Sequence, residues 1–173
     1  MLEIGSEVPS AQVARLAGDI PSPCDIRELL CGHKTLLIGV PQAFTPVCSQ
    51  KHIPDILASL ERLRHCGFTR FIVIAPDNPW AMDAWKAQFP GAEEILFLSD
   101  GNGDFVKACG LEESCKGLFL GECSRRYAIQ MQDTIVISLA IEDSILTVEC
   151  TGALDQIAAA DGDDAPIIEF VEG

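Results

Sequence analysis

Two stretches of this chain are apolar almost without interruption: Thr35-Leu36-Leu37-Ile38-Gly39-Val40 and Phe71-Ile72-Val73-Ile74-Ala75. Runs of that length, bounded by turn formers, predict strands buried on both faces. Between them Ile53, Ile56, Leu57, Leu60 and Leu63 recur at helical spacing, and Gly67 closes the pattern. Pro54 falls inside that helix. It removes one backbone N–H and crowds the turn before it, at a cost of about 3 kcal/mol in an ordinary helix, so a kink or restart is expected near residues 50–54.

The second strand stops at Pro76-Asp77-Asn78-Pro79, and a helix is expected from Trp80 to Gln88, with Ala81, Ala84, Trp85 and Phe89 toward the core and both tryptophans as core residues. A strand Ile95–Leu98, the turn Asp100-Gly101-Asn102-Gly103 and a short helix Phe105–Cys109 follow. Residues 112–124 lack periodicity and hold glycines and two cysteines, which reads as loop. Arg125–Met131 and Ile135–Leu139 suit a hairpin around Gln132-Asp133, and Ala153–Ala160 suits a last helix. Residues 1–34, punctuated by Pro9, Gly18, Pro21, Pro23 and Gly32, offer only a short apolar piece, Ala11–Leu16, and a helical turn, Asp25–Leu30. Strand and helix alternate, so the class is α/β.

At 173 residues and 48% hydrophobic content, one domain over residues 1–160 is expected, with 161–173 as a tail. The tail carries Asp161, Asp163, Asp164, Glu169 and Glu172, but Ile167, Ile168, Phe170 and Val171 make it apolar enough to pack on the body or a neighbour. Twelve basic against 26 acidic residues give a net charge of −14, which argues against nucleic acid as a partner. No window is long and apolar enough to span a membrane. The first residues lack the basic start and apolar core of a signal peptide, so a cytoplasmic location is the default expectation. Eight cysteines without a C-x-x-C pair read as reduced thiols rather than a disulfide framework, and His33, His52 and His65 do not pair with them at zinc spacing.

One of the eight stands apart. The first strand stops at Pro41, Thr45 is a good N-cap and Pro46 a favoured first helical residue, which puts Cys48 in the first turn of a helix. There free backbone N–H groups and the positive end of the helix dipole favour thiolate over thiol. The Thr45 hydroxyl can accept from a backbone N–H and donate to the sulfur. His52, one turn on, faces either the same pocket or the helix surface.

Strand, loop and helix-start cysteine within an α/β sheet resemble the thioredoxin superfamily, although Lys51 stands where a thioredoxin has its second cysteine. The pattern Pro41-x-x-x-Thr45-x-x-Cys48 instead resembles the peroxiredoxins. The run Ala43-Phe44-Thr45-Pro46-Val47-Cys48-Ser49, with His52 and Pro54, is similar to their atypical type-II, peroxiredoxin-5-like branch. The likeness extends through Asn78–Trp85, Ser99-Asp100-Gly101 and Ser124-Arg125-Arg126-Tyr127-Ala128.

The resemblance implies a thioredoxin-like fold, a central mixed β-sheet flanked by helices, with an N-terminal extension. It implies a thiol peroxidase without metal or organic cofactor, in which Cys48 attacks the hydroperoxide and becomes a sulfenic acid. Arg126 would stabilise the thiolate and the developing oxyanion, Thr45 would orient the peroxide, Pro41 would shield the sulfur, and Phe44 and His52 would wall the pocket. A homodimer is implied as well. Two departures stand out: Gln42 replaces a glycine, and no cysteine occupies either of the branch's resolving positions, the strand Phe71–Ala75 or the neighbourhood of Asp155. The cycle would then be closed by an outside thiol, glutathione with glutaredoxin or thioredoxin. The internal alternatives are Cys123, the first choice, then Cys150, Cys109 and Cys115. A peroxide-sensing switch or partner-binding module on the same fold is the competing function, separable by catalytic turnover.

Overall fold

The computed structural model describes residues 1–163. Its strands are β1 (Gln12–Ala17), β2 (Ile20–Asp25), β3 (Lys34–Gly39), β4 (Arg70–Ala75), β5 (Ile95–Ser99), β6 (Glu112–Ser114), β7 (Glu122–Ser124), β8 (Tyr127–Gln132) and β9 (Ile135–Ile141). The α-helices are α1 (Ile26–Leu30), α2 (Ile53–Ala58), α3 (Leu60–His65), α4 (Pro79–Lys86), α5 (Asp104–Cys109) and α6 (Ala153–Asp163). Seven strands make one mixed sheet in the order β2-β1-β5-β4-β3-β8-β9, with β3, β4 and β5 parallel and the other pairs antiparallel. This is the expected thioredoxin-like arrangement.

The apolar runs of β3 and β4 are central because their residues feed both layers. Leu36, Ile38, Phe71 and Val73 face one core with α2, α3, α4 and α6 residues, and Leu37, Ile72 and Ile74 face the other with α1 and α5 residues. Each such side chain, removed from water, favours the fold by about 1.5–3 kcal/mol.

Several expectations change in detail. The N-terminal extension is part of the sheet: β1 and β2 form a hairpin that joins at Ala14↔Ser99. Interspersed polar positions and two prolines, Pro21 and Pro23, hid it, because an edge hairpin needs little apolar surface. Residues 112–124, read as loop, contain the two-stranded ribbon β6-β7. The helix expected after Cys48 is broken twice. A π-helical turn, Cys48–His52, in which the Ile53 N–H donates to Cys48 O, absorbs the disturbance of Pro54. Ser59, at φ −107°, then separates α2 from α3. Trp85 is fully buried, but Trp80 is half exposed and is not a core residue; its Nε1–H donates to Asp19 O. The last helix runs on to Asp163, past the expected boundary at 160, and the apolar tail residues 167–171 lie outside the described residues.

The site is positioned by the β3-β8 pair. Because the strands are antiparallel, the end of β3 and the start of β8 meet, with Gly39 opposite Tyr127. The Tyr127 ring lies where a Cβ at residue 39 would be, so glycine is required for that approach. The loop after β3 carries Cys48 and the residue before β8 is Arg126. Pairing alone brings them to one end of the sheet.

Candidate active site

Arg126 and Cys48 are both buried, and Arg126 Nη1 donates to Cys48 Sγ at 3.2 Å. The same nitrogen donates at 3.1 Å to His52 Nδ1, and Nη2 donates at 2.6 Å to Ile145 O. Arg126 Nε has no partner among the described residues. No carboxylate among them lies within ion-pair distance of this guanidinium. A buried cation without a counter-anion is costly, and the group placed to supply the negative charge is the Cys48 sulfur.

The Thr45 hydroxyl lies 2.8 Å from Cys48 Sγ and 3.1 Å from Gln42 O. It caps no backbone N–H, contrary to expectation: Pro46 opens the helix, and Thr45 serves it only through its carbonyl, which accepts from the Ser49 N–H. Its single proton turns between sulfur and carbonyl, so it can donate to a thiolate or accept from a thiol.

His52 is not a pocket wall. It is fully buried behind the guanidinium, and accepting at Nδ1 fixes the tautomer so that Nε2–H donates to Thr151 O at 3.0 Å. Burial first, with the nearby Arg126 charge, lowers its pKa to about 4, which keeps the imidazole neutral. Phe44 does not line the cavity that meets Thr45 and Arg126 either. It stands half exposed at φ 61°, with its ring 6.5 Å from that of Trp85. Trp85 Nε1–H in turn donates to Ser49 Oγ, next to Cys48.

The cavity at the site measures about 300 Å³. Pro41, Thr45 and Arg126 form its polar end, and Leu118, Leu120, Ile145 and Leu146 its apolar wall. Leu118 and Leu120 belong to the loop of the β6-β7 ribbon. That loop is tied to the Cys48 loop by Gln42, whose Nε2 donates to Leu120 O at 2.9 Å. The residue that departs from the family pattern therefore fastens one wall of the pocket.

None of the other cysteines touches Cys48 Sγ. Cys150 sits before α6 with its thiol pushed up to about 11 by burial and by Glu142. Cys109 lies in the core on the opposite side of the sheet, pushed up to about 12 by burial and by Asp100. Cys123 does not meet Cys48; its sulfur is 2.8 Å from Cys115 Sγ.

Glu142 was not foreseen. Its Oε1 accepts from the N–H groups of Glu149, Cys150 and Thr151 and from the Thr151 hydroxyl, all at 2.8–2.9 Å. Burial pushes its pKa up, but these four donors together outweigh it and hold the carboxylate below its usual range. The Glu142 N–H also bonds Arg126 O at 2.9 Å. It thus fixes both the backbone of Arg126 and the carbonyl that orients His52. A glutamate after a strand carries no sequence signal of this. Among the described residues no group of three or more His, Cys, Asp or Glu is arranged to hold a metal ion.

Comparison with known proteins agrees with this geometry. The Redoxin family matches residues 3–157. Peroxiredoxin-2B of Arabidopsis thaliana is 32% identical over 142 residues, 82% of this chain and 88% of that protein. The chloroplastic peroxiredoxin-2E of the same plant is 35% identical over 147 residues; the match covers 82% of this chain but 62% of that longer protein. Among solved structures, reduced Prx3 of Vibrio vulnificus in complex with hydrogen peroxide superposes with a TM-score of 0.85 at 34% identity, covering 92% of this chain and 99% of that one.

Proposed function

This chain belongs to the redoxin family, among the peroxiredoxins, which are thiol-dependent peroxidases, and we propose that its own peroxidase chemistry runs through Cys48 with Arg126 and Thr45 as its partners. The observation that carries the assignment is the buried guanidinium whose nearest candidate counter-charge is a sulfur. A thiolate held there attacks one peroxide oxygen. The S–O bond forms as the O–O bond breaks, the departing oxygen takes a proton and leaves as water or an alcohol, and Cys48 becomes a sulfenic acid.

Arg126 acts on both sides of this step. Its Nη1 steadies the attacking sulfur, and its unspent N–H groups are available to the negative charge growing on the peroxide oxygens. Thr45 orients the peroxide, its hydroxyl turning from Gln42 O as the substrate enters. Pro41 removes a backbone donor and keeps bulk water from the sulfur. His52 touches neither sulfur nor pocket and serves as a positioning residue for Arg126. The apolar wall of Leu118, Leu120, Ile145 and Leu146 suits a small hydroperoxide with an apolar substituent as well as hydrogen peroxide itself.

The electrons come in the end from an outside thiol, either glutathione with glutaredoxin or thioredoxin. A homodimer in the cytoplasm belongs to the same proposal. Leu118 and Leu146, which line the pocket, are exposed, as are Phe44 and Phe119 in the loops that carry Thr45 and Leu118, and these apolar side chains support a self-association surface there. Light scattering tests it. The chemistry is tested by peroxide consumption with added thiol: repeated turnover, lost when Cys48 is alkylated, supports the proposal. A single stoichiometric oxidation without turnover would favour a sensor instead.

A further inference from the structure

Cys115 and Cys123 are free thiols, both buried, with their sulfurs 2.8 Å apart. That is inside the van der Waals contact of two sulfurs and roughly 0.8 Å longer than a disulfide bond of about 2.05 Å. The two lie diagonally across the β6-β7 ribbon: Cys123 is opposite Glu113, and the Cys115 N–H donates to Gly121 O at 2.7 Å. Between them runs the loop whose Leu118 and Leu120 wall the Cys48 pocket.

The pair is asymmetric. Cys115 lines a second cavity of about 350 Å³, which shares Leu118, Ile145 and Leu146 with the Cys48 pocket. Cys123 is the more enclosed, and burial, with the adjoining Cys115 thiol, raises its pKa. A sulfur that borders a cavity beside one more deeply enclosed is what a dithiol needs if it is to receive a disulfide at one atom and complete it with the other.

We propose that Cys115 and Cys123 form a resolving dithiol, which takes the oxidation from Cys48 and holds it as an intramolecular disulfide for an outside thiol to reduce. The proposal rests on Cys48 being the residue that peroxide oxidises. In the first step the Cys115 thiol attacks the Cys48 sulfenic acid, forming a Cys48–Cys115 disulfide and releasing water. In the second the Cys123 thiol attacks the Cys115 sulfur, forming the Cys115–Cys123 disulfide and returning Cys48 as thiolate and a proton. Two outside thiols then restore the pair and leave as their own disulfide.

The first step requires the ribbon to move, since bridged cysteines have Cα atoms no more than about 7 Å apart. The ribbon is built for movement. Its strands have three residues each and form a separate two-stranded sheet, a unit of marginal stability by itself. The loop tip, Phe119, is 99% exposed.

Peptide mapping by mass spectrometry after peroxide treatment and thiol blocking tests the relay. The wild type should yield a Cys115–Cys123 disulfide with Cys48 recovered as a blocked thiol. Cys123→Ser should accumulate the Cys48–Cys115 disulfide, and Cys115→Ser should leave Cys48 as sulfenic or sulfinic acid. Oxidised Cys48 in wild-type protein whose Cys115 and Cys123 both remain blockable would overturn the relay while leaving the site assignment intact. So would a Cys115–Cys123 disulfide that forms equally in Cys48→Ser. If Cys48 itself stays unmodified and peroxide is not consumed, the assignment of the site fails and the relay with it.

Discussion

The two walls of the Cys48 pocket are built in opposite ways. On one side Arg126 meets the pocket with Cys48, His52, Thr151 and Glu142 buried behind it and joined donor to acceptor, and Cys48 and Arg126 hang from the paired ends of β3 and β8. On the other, Leu118 and Leu120 ride on a short ribbon outside that sheet, fastened to the Cys48 loop by the Gln42 side chain and by a long contact from Ser124 N–H to Pro41 O. Charge must be met by fixed dipoles, so the reacting sulfur belongs on the rigid wall. Recycling the sulfur requires another thiol to reach it, so the yielding wall is where that access can open.

Changes to the rigid wall should act on chemistry. Cys48→Ser, the largest expected effect, leaves the fold and abolishes catalytic peroxide consumption, as a coupled assay with added thiol would record; residual turnover near wild type would remove Cys48 from the reaction. Glu142→Ala strips one acceptor from three N–H groups, that of Thr151 buried, and from a hydroxyl, so it should lower stability by about 2 kcal/mol and slow peroxide reduction together, read by denaturant titration and by rate. A stable variant with normal activity would show that the chain from Glu142 through His52 does not hold Arg126.

Acid should loosen the same wall. The unfolded chain binds a proton on His52 near pH 6.5, whereas the folded protein resists until about 4. Within that window the unfolded state carries more protons, so stability is full above about pH 6.5 and falls by about 3 kcal/mol toward pH 4. His52→Gln, which can accept from Arg126 and donate to Thr151 without titrating, should flatten that part of the profile. The yielding wall gives the smallest effect: Gln42→Ala removes one hydrogen bond, about 1 kcal/mol, and should speed amide exchange in residues 116–121 while leaving β3 and β8 unchanged. Equal protection before and after would mean that the ribbon is held by something else.

What the sequence reveals divides along the same line. β3, β4 and β5 are legible because strands buried on both faces must be apolar throughout, and Cys48 because proline, threonine and cysteine stand at helix-start spacing. Pro54 announces the break that becomes the π turn. Arg126 is legible through its motif but not its partner, since only the pairing of Gly39 with Tyr127 brings it to the sulfur. Spacing leaves His52 open between pocket and helix surface, because it does not say which side of a buried turn meets a cavity, and the resemblance that places Phe44 in the pocket wall does not give the direction of a side chain at φ 61°. Glu142, the β1-β2 hairpin and the Cys115–Cys123 contact depend on pairings between segments, which local pattern does not encode.

The central claim is that the Cys48 sulfur reacts because the Arg126 guanidinium is committed to it. Stopped-flow oxidation, followed by the fluorescence of Trp85 beside Ser49, measures that first step directly. In Arg126→Lys, which keeps the charge but not the fixed fork of donors to Cys48, His52 and Ile145, the step should slow by about a hundredfold or more in a folded protein. A folded Arg126→Lys protein that reacts at the wild-type rate would contradict the account.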